Sequence, residues 1–294
     1  MDDVAAYYNR NTTPFLRFGR GSRGSGAIHR AVWGPGVTTQ RGAMDYVHHR
    51  IIAALQTAPE VDGRPQATPS SRRYADLGCG VGGSMIRVHQ ETGAPVVGVT
   101  LSEVQHREAE RRIDAAGFGG ELSVVCGDFS DSATLDTATA GALLDGAWMV
   151  ESYNHGAAAD RLLSELAARI RSGGTLAICD DFPDPRLVHG ELTPRERRWR
   201  SEFLRGWHVH TFLTTDALAS LADDAGFDCV GFEDYSDYVA VDRPRDLLVR
   251  VVAGPAAAFD LRSGQWDNIR GGNALQQLGK RRLIRYGMCV FRRR

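Results

Sequence analysis

The chain lacks long hydrophobic runs, which limits where it can act. No segment approaches the roughly 18 consecutive apolar residues that a transmembrane helix requires. The amino-terminal stretch MDDVAAYYNR lacks the basic and apolar blocks of a secretory signal. These two absences predict a cytoplasmic protein that has no membrane partner.

Cysteine is scarce, and its spacing argues against two further classes of protein. The chain has no C-x-x-C pair and no histidines at metal-binding distance from a cysteine; its five cysteines are Cys79, Cys126, Cys179, Cys229 and Cys289. Neither a zinc site nor a disulfide framework is indicated. We therefore expect reduced cysteines that pack as small apolar groups, and the sequence assigns no metal site.

Acidic and basic residues nearly balance, because the formal net charge is -1 over 294 residues. Nucleic-acid-binding proteins usually carry a clear basic excess, so we expect no nucleic-acid partner. One segment departs from this balance: FLRFGRGSRGSGAIHRAVWGPG, residues 15–36, holds four arginines, one histidine and six glycines but no acidic residue. Arginine forks and glycine-rich backbone both suit an anion, and a solvated basic loop is the simpler alternative.

After a linker rich in proline and serine at residues 56–73, strand-like and helix-like segments alternate along the chain. Short apolar runs such as PVVGVT predict strands, and amphipathic runs such as SEVQHREAERRIDAAG predict helices. This alternation predicts an α/β fold with a doubly wound, mostly parallel sheet. Two strand-like segments at residues 228–239 and 282–294 predict an antiparallel final pair.

The stretch YADLGCGVGGS carries the first chemical signal. Gly78, Gly80 and Gly83 fit the G-x-G-x-x-G pattern between a strand and a helix, which is typical of nicotinamide dinucleotide sites. Two details argue against that cofactor, because Thr100 stands where an acid would hold the ribose and Asp76 directly precedes the glycines. A carboxylate at that place suits a cofactor with a cationic amino-acid end and no pyrophosphate, which describes S-adenosylmethionine.

From these motifs onward, residues 70–294 resemble the class I S-adenosylmethionine-dependent methyltransferases. DLGCGVGG is similar to their first motif, GVTLSEVQ to the second strand of the sterol and prenyl diphosphate branch, CGDF to the adenine-binding turn and RSGGTLAI to the start of strand five. The resemblance implies a Rossmann-like sheet of seven strands, the last of them antiparallel. It also implies a set of cofactor contacts, namely Asp76, Gly78, Gly80, Thr100, Leu101, Gln105, Asp128 and Phe129.

Residues 1–69 resemble the amino-terminal helical lid of the C-methyltransferases that act on geranyl or isopentenyl diphosphate. YYNRNTTPFLRFG and GAIHRAVWGPG carry this resemblance, which is partial because Leu16 is shifted by one residue from the family's spacing. The resemblance implies that the lid binds the substrate diphosphate through Arg17, Arg20, Arg23, His29 and Arg30. A Mg²⁺ cofactor would be bound through the diphosphate oxygens.

MVESYNH places Glu151 at the carboxyl end of the fourth predicted strand, where related prenyl diphosphate enzymes carry a base. Alkene attack on the sulfonium methyl leaves a tertiary carbocation, which needs aromatic faces and one carboxylate. An insertion at about residues 183–213 is expected to cover the substrate. The candidate catalytic residues are Glu151, His155, Trp207 and Tyr8, and the further candidate substrate contacts are Tyr153, Trp199, Phe203 and His208.

The sequence thus predicts a methyltransferase that acts on a carbon of a small isoprenoid diphosphate. One alternative is O-, N- or C-methylation of a neutral isoprenoid or indole-type specialised metabolite, with His155 as a candidate base. Another alternative is an RNA methyltransferase that uses the basic segment, but the chain lacks an N/D-P-P-Y/F-type base-methylation motif. A homo-oligomer is left open.

Overall fold

The computed structural model describes residues 4–6, 8–10, 12, 28–57, 69–239 and 264–294. Its strands are Tyr74–Leu77 (β1), Val96–Thr100 (β2), Leu122–Cys126 (β3), Leu144–Val150 (β4), Ile170–Pro183 (β5), Phe227–Asp234 (β6) and Ile284–Arg293 (β7). They form one sheet in the order β3-β2-β1-β4-β5-β7-β6. Strands β1 to β5 are parallel, and β7 runs antiparallel to both β5 and β6. This confirms the predicted doubly wound sheet with an antiparallel final pair.

Helices cover both faces of the sheet. They are Gln40–Gln56 (α1), Gly83–Thr92 (α2), Glu103–Ala116 (α3), Ser132–Thr139 (α4), Ala159–Arg169 (α5), Pro185–His189 (α6), Pro194–Gly206 (α7), Thr215–Asp224 (α8) and Gly264–Lys280 (α9). The described residues between positions 4 and 12 are helical as well. Within the described ranges, no helix combines the length and apolar character needed to cross a membrane.

The core lies on both sides of the sheet, as expected for parallel strands that are buried on two faces. On one face Met149 packs with residues of α5 and α8, and on the other Trp148 packs with residues of α1 and α2. All five cysteines are free; Cys79, Cys179 and Cys289 are buried, whereas Cys126 and Cys229 are exposed. The expectation of apolar packing therefore fails for two of them.

The amphipathic run AADRLLSELAARIRSGG, residues 158–174, predicts a helix that ends on glycine, and the start of β5 differs from this pattern. Helix α5 ends at Arg169 instead, and Ile170 already pairs with Leu144 of β4. The register shifts just after this pair, and Gly173 adopts a φ of 74°, which glycine tolerates without strain. The glycines therefore belong to an irregular strand start and do not cap the helix.

The predicted insertion contains α6 and α7, and it packs against α9 through an apolar cluster of its own. The two long helices approach each other at glycines. A Cβ atom on Gly206 would overlap the carbonyl oxygen of Asp267, and one on Gly271 would lie 3.1 Å from the Cα atom of Gly206. The contact between α7 and α9 thus depends on the absence of side chains at the crossing.

Replacing Gly206 by alanine is expected to destabilise the protein by about 1–3 kcal/mol, the usual cost of overpacking. The added methyl group would meet backbone, which cannot rotate away. Thermal unfolding followed by circular dichroism measures the change as a lower midpoint.

Gly272→Ala is the matched control, because a Cβ atom there would meet nothing within 4 Å. Alanine favours a helix over glycine by about 0.5–1 kcal/mol, so this variant should unfold at a slightly higher temperature. Equal midpoints for the two variants would contradict the close approach at Gly206.

Candidate active site

A cleft of about 780 Å³, including its opening to solvent, lies at the carboxyl ends of β1, β2 and β4. The strand order reverses between β1 and β4, so the cleft occupies the topological switch point at which open α/β sheets bind ligands. Helical residues near the amino terminus contribute to its wall. The predicted site residues that line it are Tyr8, His29, Asp76, Gly78, Gly80, Thr100, Leu101, Gln105, Phe129, Glu151 and His155.

The glycine loop after β1 forms the floor of the cleft. The N–H groups of Gly78 and Cys79 donate to the Val99 carbonyl at 2.8 and 2.9 Å, which ties the loop to β2. Gly78 and Gly80 have φ values of 91° and 55°, and a Cβ atom on Gly78 would overlap the side chain of Ser152. A Cβ atom on Gly80 would meet nothing within 4 Å. Gly78 is thus required by packing, and Gly80 leaves room for a ligand beside the backbone.

Asp76 is a buried acid that has no counter-charge within the described part of the chain. Asp76 is 1% exposed, and its Oδ2 atom has no hydrogen-bond partner among the described residues. Burial raises the pKa of Asp76 to about 7. An unpartnered buried carboxylate oxygen is unfavourable, and a cation in the cleft would offset that cost. Asp76 therefore fits the ammonium group of S-adenosylmethionine.

The end of β2 presents hydroxyl and amide groups. The Thr100 hydroxyl donates to Oε1 of Gln105 at 2.9 Å, and both residues are buried in the wall of the cleft. Ser102 caps α3 by accepting from the Gln105 N–H, and its own hydroxyl donates to Oδ1 of Asn9 at 2.6 Å. The helical amino-terminal residues are therefore fastened beside the predicted ribose contacts.

The turn after β3 contributes an aromatic ring. Phe129 is buried and lines the cleft, as does Leu101. Asp128, which the resemblance assigned to the adenine, does not line the cleft; its carboxylate accepts from the Ser130 N–H at 2.7 Å and closes the turn.

Glu151 directly follows β4 and has a φ of 53°, which residues other than glycine rarely adopt. Its Oε1 atom accepts three hydrogen bonds: from the Arg30 N–H at 2.8 Å, from Arg30 Nε at 3.2 Å and from the Tyr286 hydroxyl at 2.9 Å. Burial alone would raise the pKa of Glu151, but the Arg30 charge and these hydrogen bonds outweigh it, so the pKa lies below its ordinary value. The cleft thus holds an ionised carboxylate in a fixed position.

Arg30 is fully engaged in holding acids. Its Nη1 and Nη2 atoms donate to the two oxygens of Asp181 at 2.9 and 2.7 Å, and Nε donates to Glu151. The guanidinium carbon lies 3.8 Å from the centroid of the Tyr286 ring. The resemblance assigned Arg30 to the substrate diphosphate, but all three of its guanidinium nitrogens are bound to carboxylates. In the structure Arg30 orients Glu151.

His155 lines the cleft beside Tyr8. Its Nδ1 atom lies 3.3 Å from the His208 carbonyl oxygen, and its Nε2 atom lies 2.9 Å from the Tyr8 hydroxyl. Because a carbonyl only accepts, Nδ1 carries the hydrogen and Nε2 accepts from Tyr8. Burial lowers the pKa of His155 to about 4, which keeps the ring neutral at pH 7. His208 contributes this carbonyl, and it does not line the cleft.

Four aromatic residues predicted for the site lie away from the cleft. Trp199, Phe203 and Trp207 pack in the cluster between the insertion and α9. Tyr153 is buried in the core on the face of the sheet that α5 and α8 cover. Because α9 covers the aromatic face of α7, the rings of Trp199 and Phe203 do not reach the cleft lining. Arg17, Arg20 and Arg23 lie outside the described residues.

Two residues that the sequence patterns missed complete the site. Asp181, at the end of β5, could have been found from its position at a strand terminus, as Glu151 was. Tyr286 gave no local signal, because it reaches Glu151 only through the antiparallel pairing that sets it opposite Asp181. Among the described residues, no group of three or more histidine, cysteine or acidic side chains is arranged to hold a metal.

Comparison with known proteins identifies the family. The family described as a methyltransferase domain matches residues 45–231. The chain is 29% identical over 163 residues to the 24-methylenesterol C-methyltransferase 2 of Oryza sativa subsp. japonica, covering 55% of this chain and 43% of that protein. It is 27% identical over 188 residues to the O-methyltransferase resE of Aspergillus sclerotiorum, covering 64% of this chain and 66% of that protein. Each match thus spans less than two thirds of the relative's length.

Solved structures share the whole fold. A geranyl diphosphate C-methyltransferase from Streptomyces coelicolor A3(2), solved with Mg²⁺, geranyl diphosphate and S-adenosyl-L-homocysteine, superposes with a TM-score of 0.69 at 17% identity, covering 100% of this chain and 97% of that one. The cyclopropane synthase MmaA2 from Mycobacterium tuberculosis gives a TM-score of 0.74 at 14% identity, covering 99% and 98%. The chain therefore belongs to the methyltransferase domain family and has the class I S-adenosylmethionine-dependent methyltransferase fold.

Proposed function

We propose that this protein transfers the methyl group of S-adenosylmethionine to a carbon of a small isoprenoid diphosphate. The observation that carries the proposal is the ionised Glu151 carboxylate, which Arg30 and Tyr286 hold at the switch point of the sheet. The resemblance of the amino-terminal segment supports it, as does the fold shared with a geranyl diphosphate C-methyltransferase.

The cofactor supplies an electrophilic methyl group on a sulfonium when it is bound. Asp76 binds its ammonium group, because the buried Oδ2 atom has no other described partner. Gly80 leaves space beside the backbone for the same end of the molecule. Thr100 and Gln105 contact the ribose, and Phe129 contacts the adenine. All three residues line the cleft.

Glu151 removes the proton that restores the alkene after methyl transfer. A tertiary carbocation is a very strong acid, so even a carboxylate with a lowered pKa is basic enough to accept its proton. Oε1 already accepts three hydrogen bonds, which leaves Oε2 for the incoming proton. The strained backbone at Glu151 is consistent with a residue whose position is set by function.

The substrate diphosphate is assigned to Arg17, Arg20 and Arg23, which lie outside the described residues. His29 lines the cleft, but its Nδ1 atom lies 2.9 Å from the Arg30 carbonyl oxygen and its Nε2 atom 3.0 Å from His48 Nε2, so both ring nitrogens are already engaged within the protein. A Mg²⁺ ion would take its ligands largely from the diphosphate oxygens. Tyr8 lines the cleft and is assigned to face the cation, whereas Trp207 packs against the cluster between the insertion and α9, away from the cleft.

A second candidate function is methylation of an oxygen or nitrogen on a neutral metabolite. His155 favours it, because its neutral ring presents Nε2 to the cleft and already accepts a hydrogen bond from the Tyr8 hydroxyl. A substrate hydroxyl in the place of Tyr8 would give its proton to the same nitrogen. Relatives of the chain include O-methyltransferases.

We predict that affinity for S-adenosylhomocysteine depends on the ionisation of Asp76. The free protein carries this carboxyl with a pKa of about 7, and only the charged form attracts the ligand's ammonium group. Below that pKa the acid is protonated, so lowering the pH from 7.5 to 5.5 should weaken binding by about tenfold or more. Isothermal titration calorimetry at both pH values measures the change.

Asp76→Asn should bind weakly at both pH values and lose this dependence. Asp136→Asn is the control, since Asp136 is exposed and pairs with Arg169 away from the cleft, and this variant should retain the wild-type profile. A pH dependence that persists in Asp76→Asn would assign the titration to another group.

Glu151→Gln is expected to lower turnover by about 10²- to 10⁴-fold, the usual contribution of a positioned base. Glutamine keeps the size of the side chain but cannot take the proton. Affinity for S-adenosylhomocysteine should stay near the wild-type value, so calorimetry and single-turnover assays together separate binding from chemistry.

Glu165→Gln serves as the matched control, because Glu165 pairs with Arg169 on α5, away from the cleft. It should leave turnover unchanged. Normal turnover in Glu151→Gln, together with an inactive His155→Gln, would place the base on the histidine and favour methylation of an oxygen or nitrogen.

The substrate class can be read directly from methyl transfer to a panel of acceptors. With labelled S-adenosylmethionine, prenyl diphosphates of five, ten and fifteen carbons should be methylated, and the matching prenyl alcohols should not. The diphosphate provides charge-assisted hydrogen bonds worth about 1.5–3 kcal/mol each, which an alcohol cannot replace. Equal activity on an alcohol and its diphosphate would favour a neutral substrate.

A further inference from the structure

Arg30 lies between two carboxylates but does not contact them equally. Its two terminal nitrogens both donate to Asp181, Nη1 to Oδ1 at 2.9 Å and Nη2 to Oδ2 at 2.7 Å. Glu151 receives only the Nε donor of the guanidinium, at the longer distance of 3.2 Å, together with the Arg30 backbone N–H. A bidentate pair of charge-assisted hydrogen bonds is the stronger arrangement, so Asp181 is the principal counter-ion of Arg30.

Asp181 is ionised in this arrangement, although burial raises its pKa above the ordinary value. Each of its two oxygens accepts a hydrogen bond from the guanidinium, and a protonated carboxyl group would turn a hydrogen towards one of these donors. The main chain of Asp181 is fixed as well. Its N–H donates to Oδ1 of Asp180 at 2.8 Å, and its carbonyl oxygen accepts from Nδ2 of Asn154 at 2.9 Å.

The neighbouring acid, Asp180, adds little charge at pH 7. Burial and the charge of Asp181 raise the pKa of Asp180 to about 8, so its neutral form predominates. Tyr286 is neutral too, because burial raises its pKa. The charged groups of this network are therefore two carboxylates and one guanidinium, which leave one net negative charge.

This negative charge faces the cleft at Glu151. The Glu151 side chain lines the cleft and is 18% exposed, whereas the Asp181 side chain is 8% exposed and does not line it. The hydrogen bonds that the Glu151 carboxylate accepts from Arg30 and Tyr286 all go to Oε1. A charge held in place in this way stabilises a cation nearby without any reorientation of the protein.

We propose that Asp181, by neutralising Arg30, leaves the charge of Glu151 available to stabilise the positive charge that the reaction places in the cleft. In the proposed function, on which this inference rests, that charge passes from the sulfonium to the methylated acceptor, from which Glu151 takes the proton. Asp181 acts through Arg30 and is a positioning residue. Without the Asp181 carboxylate, Arg30 would pair with Glu151 alone and cancel its charge.

Two ligands that differ in one charge test the proposal on the full chain. S-Adenosylhomocysteine has an uncharged sulfur, and sinefungin has a carbon with an ammonium group in its place. The two ligands share the adenosine and the amino-acid end, so the contribution of Asp76 cancels when their affinities are compared. Isothermal titration calorimetry at pH 7 should show that the wild-type protein binds sinefungin more tightly than S-adenosylhomocysteine.

Asp181→Asn should reduce this preference by roughly three- to tenfold, the effect of one unit charge removed from about 10 Å away at an effective dielectric constant of about 20–40. Affinity for S-adenosylhomocysteine should stay at the wild-type value, which demonstrates that the variant folds. Asp180→Asn is the matched control, because Asp180 is adjacent and buried but mostly neutral at pH 7. This control should keep the wild-type ratio of affinities.

A double variant tests the balance of charge. Arg30→Gln/Asp181→Asn removes the guanidinium and its counter-ion together, and Glu151 keeps its charge and the hydrogen bond from the backbone N–H of residue 30. The preference for sinefungin should therefore return to the wild-type value, so the two substitutions should not be additive. Glu151→Gln removes the charge at the cleft itself and should lose at least as much preference as Asp181→Asn.

No preference for sinefungin in the wild-type protein, an unchanged ratio in Asp181→Asn, or an equal loss in Asp180→Asn would each overturn the inference. If Asp181→Asn does not bind S-adenosylhomocysteine, the double variant decides, and a preference as low as that of Glu151→Gln would overturn it. Failure of the wild-type protein to bind either ligand would instead overturn the proposed cofactor. Normal turnover in Glu151→Gln would overturn the assigned base and leave the measured ligand preferences as they are.

Discussion

The ion-pair network centred on Arg30 is the interaction on which the site depends. Its guanidinium joins Asp181 at the end of β5 to Glu151 at the end of β4, and its ring contact adds Tyr286 of β7. All four groups are largely removed from water, so each charge needs the others. Removing one partner from such a buried network usually costs about 3–5 kcal/mol, because the remaining charge is left uncompensated. The network therefore fixes the amino-terminal segment to three strands at once.

The two acids in the cleft, Asp76 and Glu151, have pKa values shifted in opposite directions because their surroundings differ. Asp76 faces no cationic side chain among the residues that the structure describes, and burial raises its pKa to about 7. Glu151 is buried as well, but the adjacent Arg30 keeps its pKa below the ordinary value. A cationic ligand would therefore favour the ionised form of Asp76, whereas Glu151 is already ionised in the protein without a ligand. This difference in ionisation is what the proposed function requires of the two acids, because one would bind a cation and the other would accept a proton.

Local patterns in the sequence were sufficient for the sheet and for the glycine loop, because alternating strands and helices and the spacing of Gly78 and Gly80 are encoded by neighbouring residues. They also indicated Asp76 and Glu151, which occupy strand ends. They could not show that α7 turns Trp199 and Phe203 towards α9, since an amphipathic helix does not reveal which surface covers it. The role of Arg30 was hidden for the same reason, because Asp181 and Tyr286 approach it only in the folded sheet.

The position of β7 has consequences for assembly. This strand follows β6 in the chain but lies between β5 and β6, so β6 has no strand neighbour within the sheet until β7 is in place. Pairings between such distant segments form slowly, because a long loop must close before any contact is gained. Tyr286 arrives on the same strand, so the donor that steadies Glu151 is added with the closing of the sheet. During synthesis, a chain that has not yet produced β7 would carry an open sheet edge, and Glu151 would lack the hydrogen bond from Tyr286.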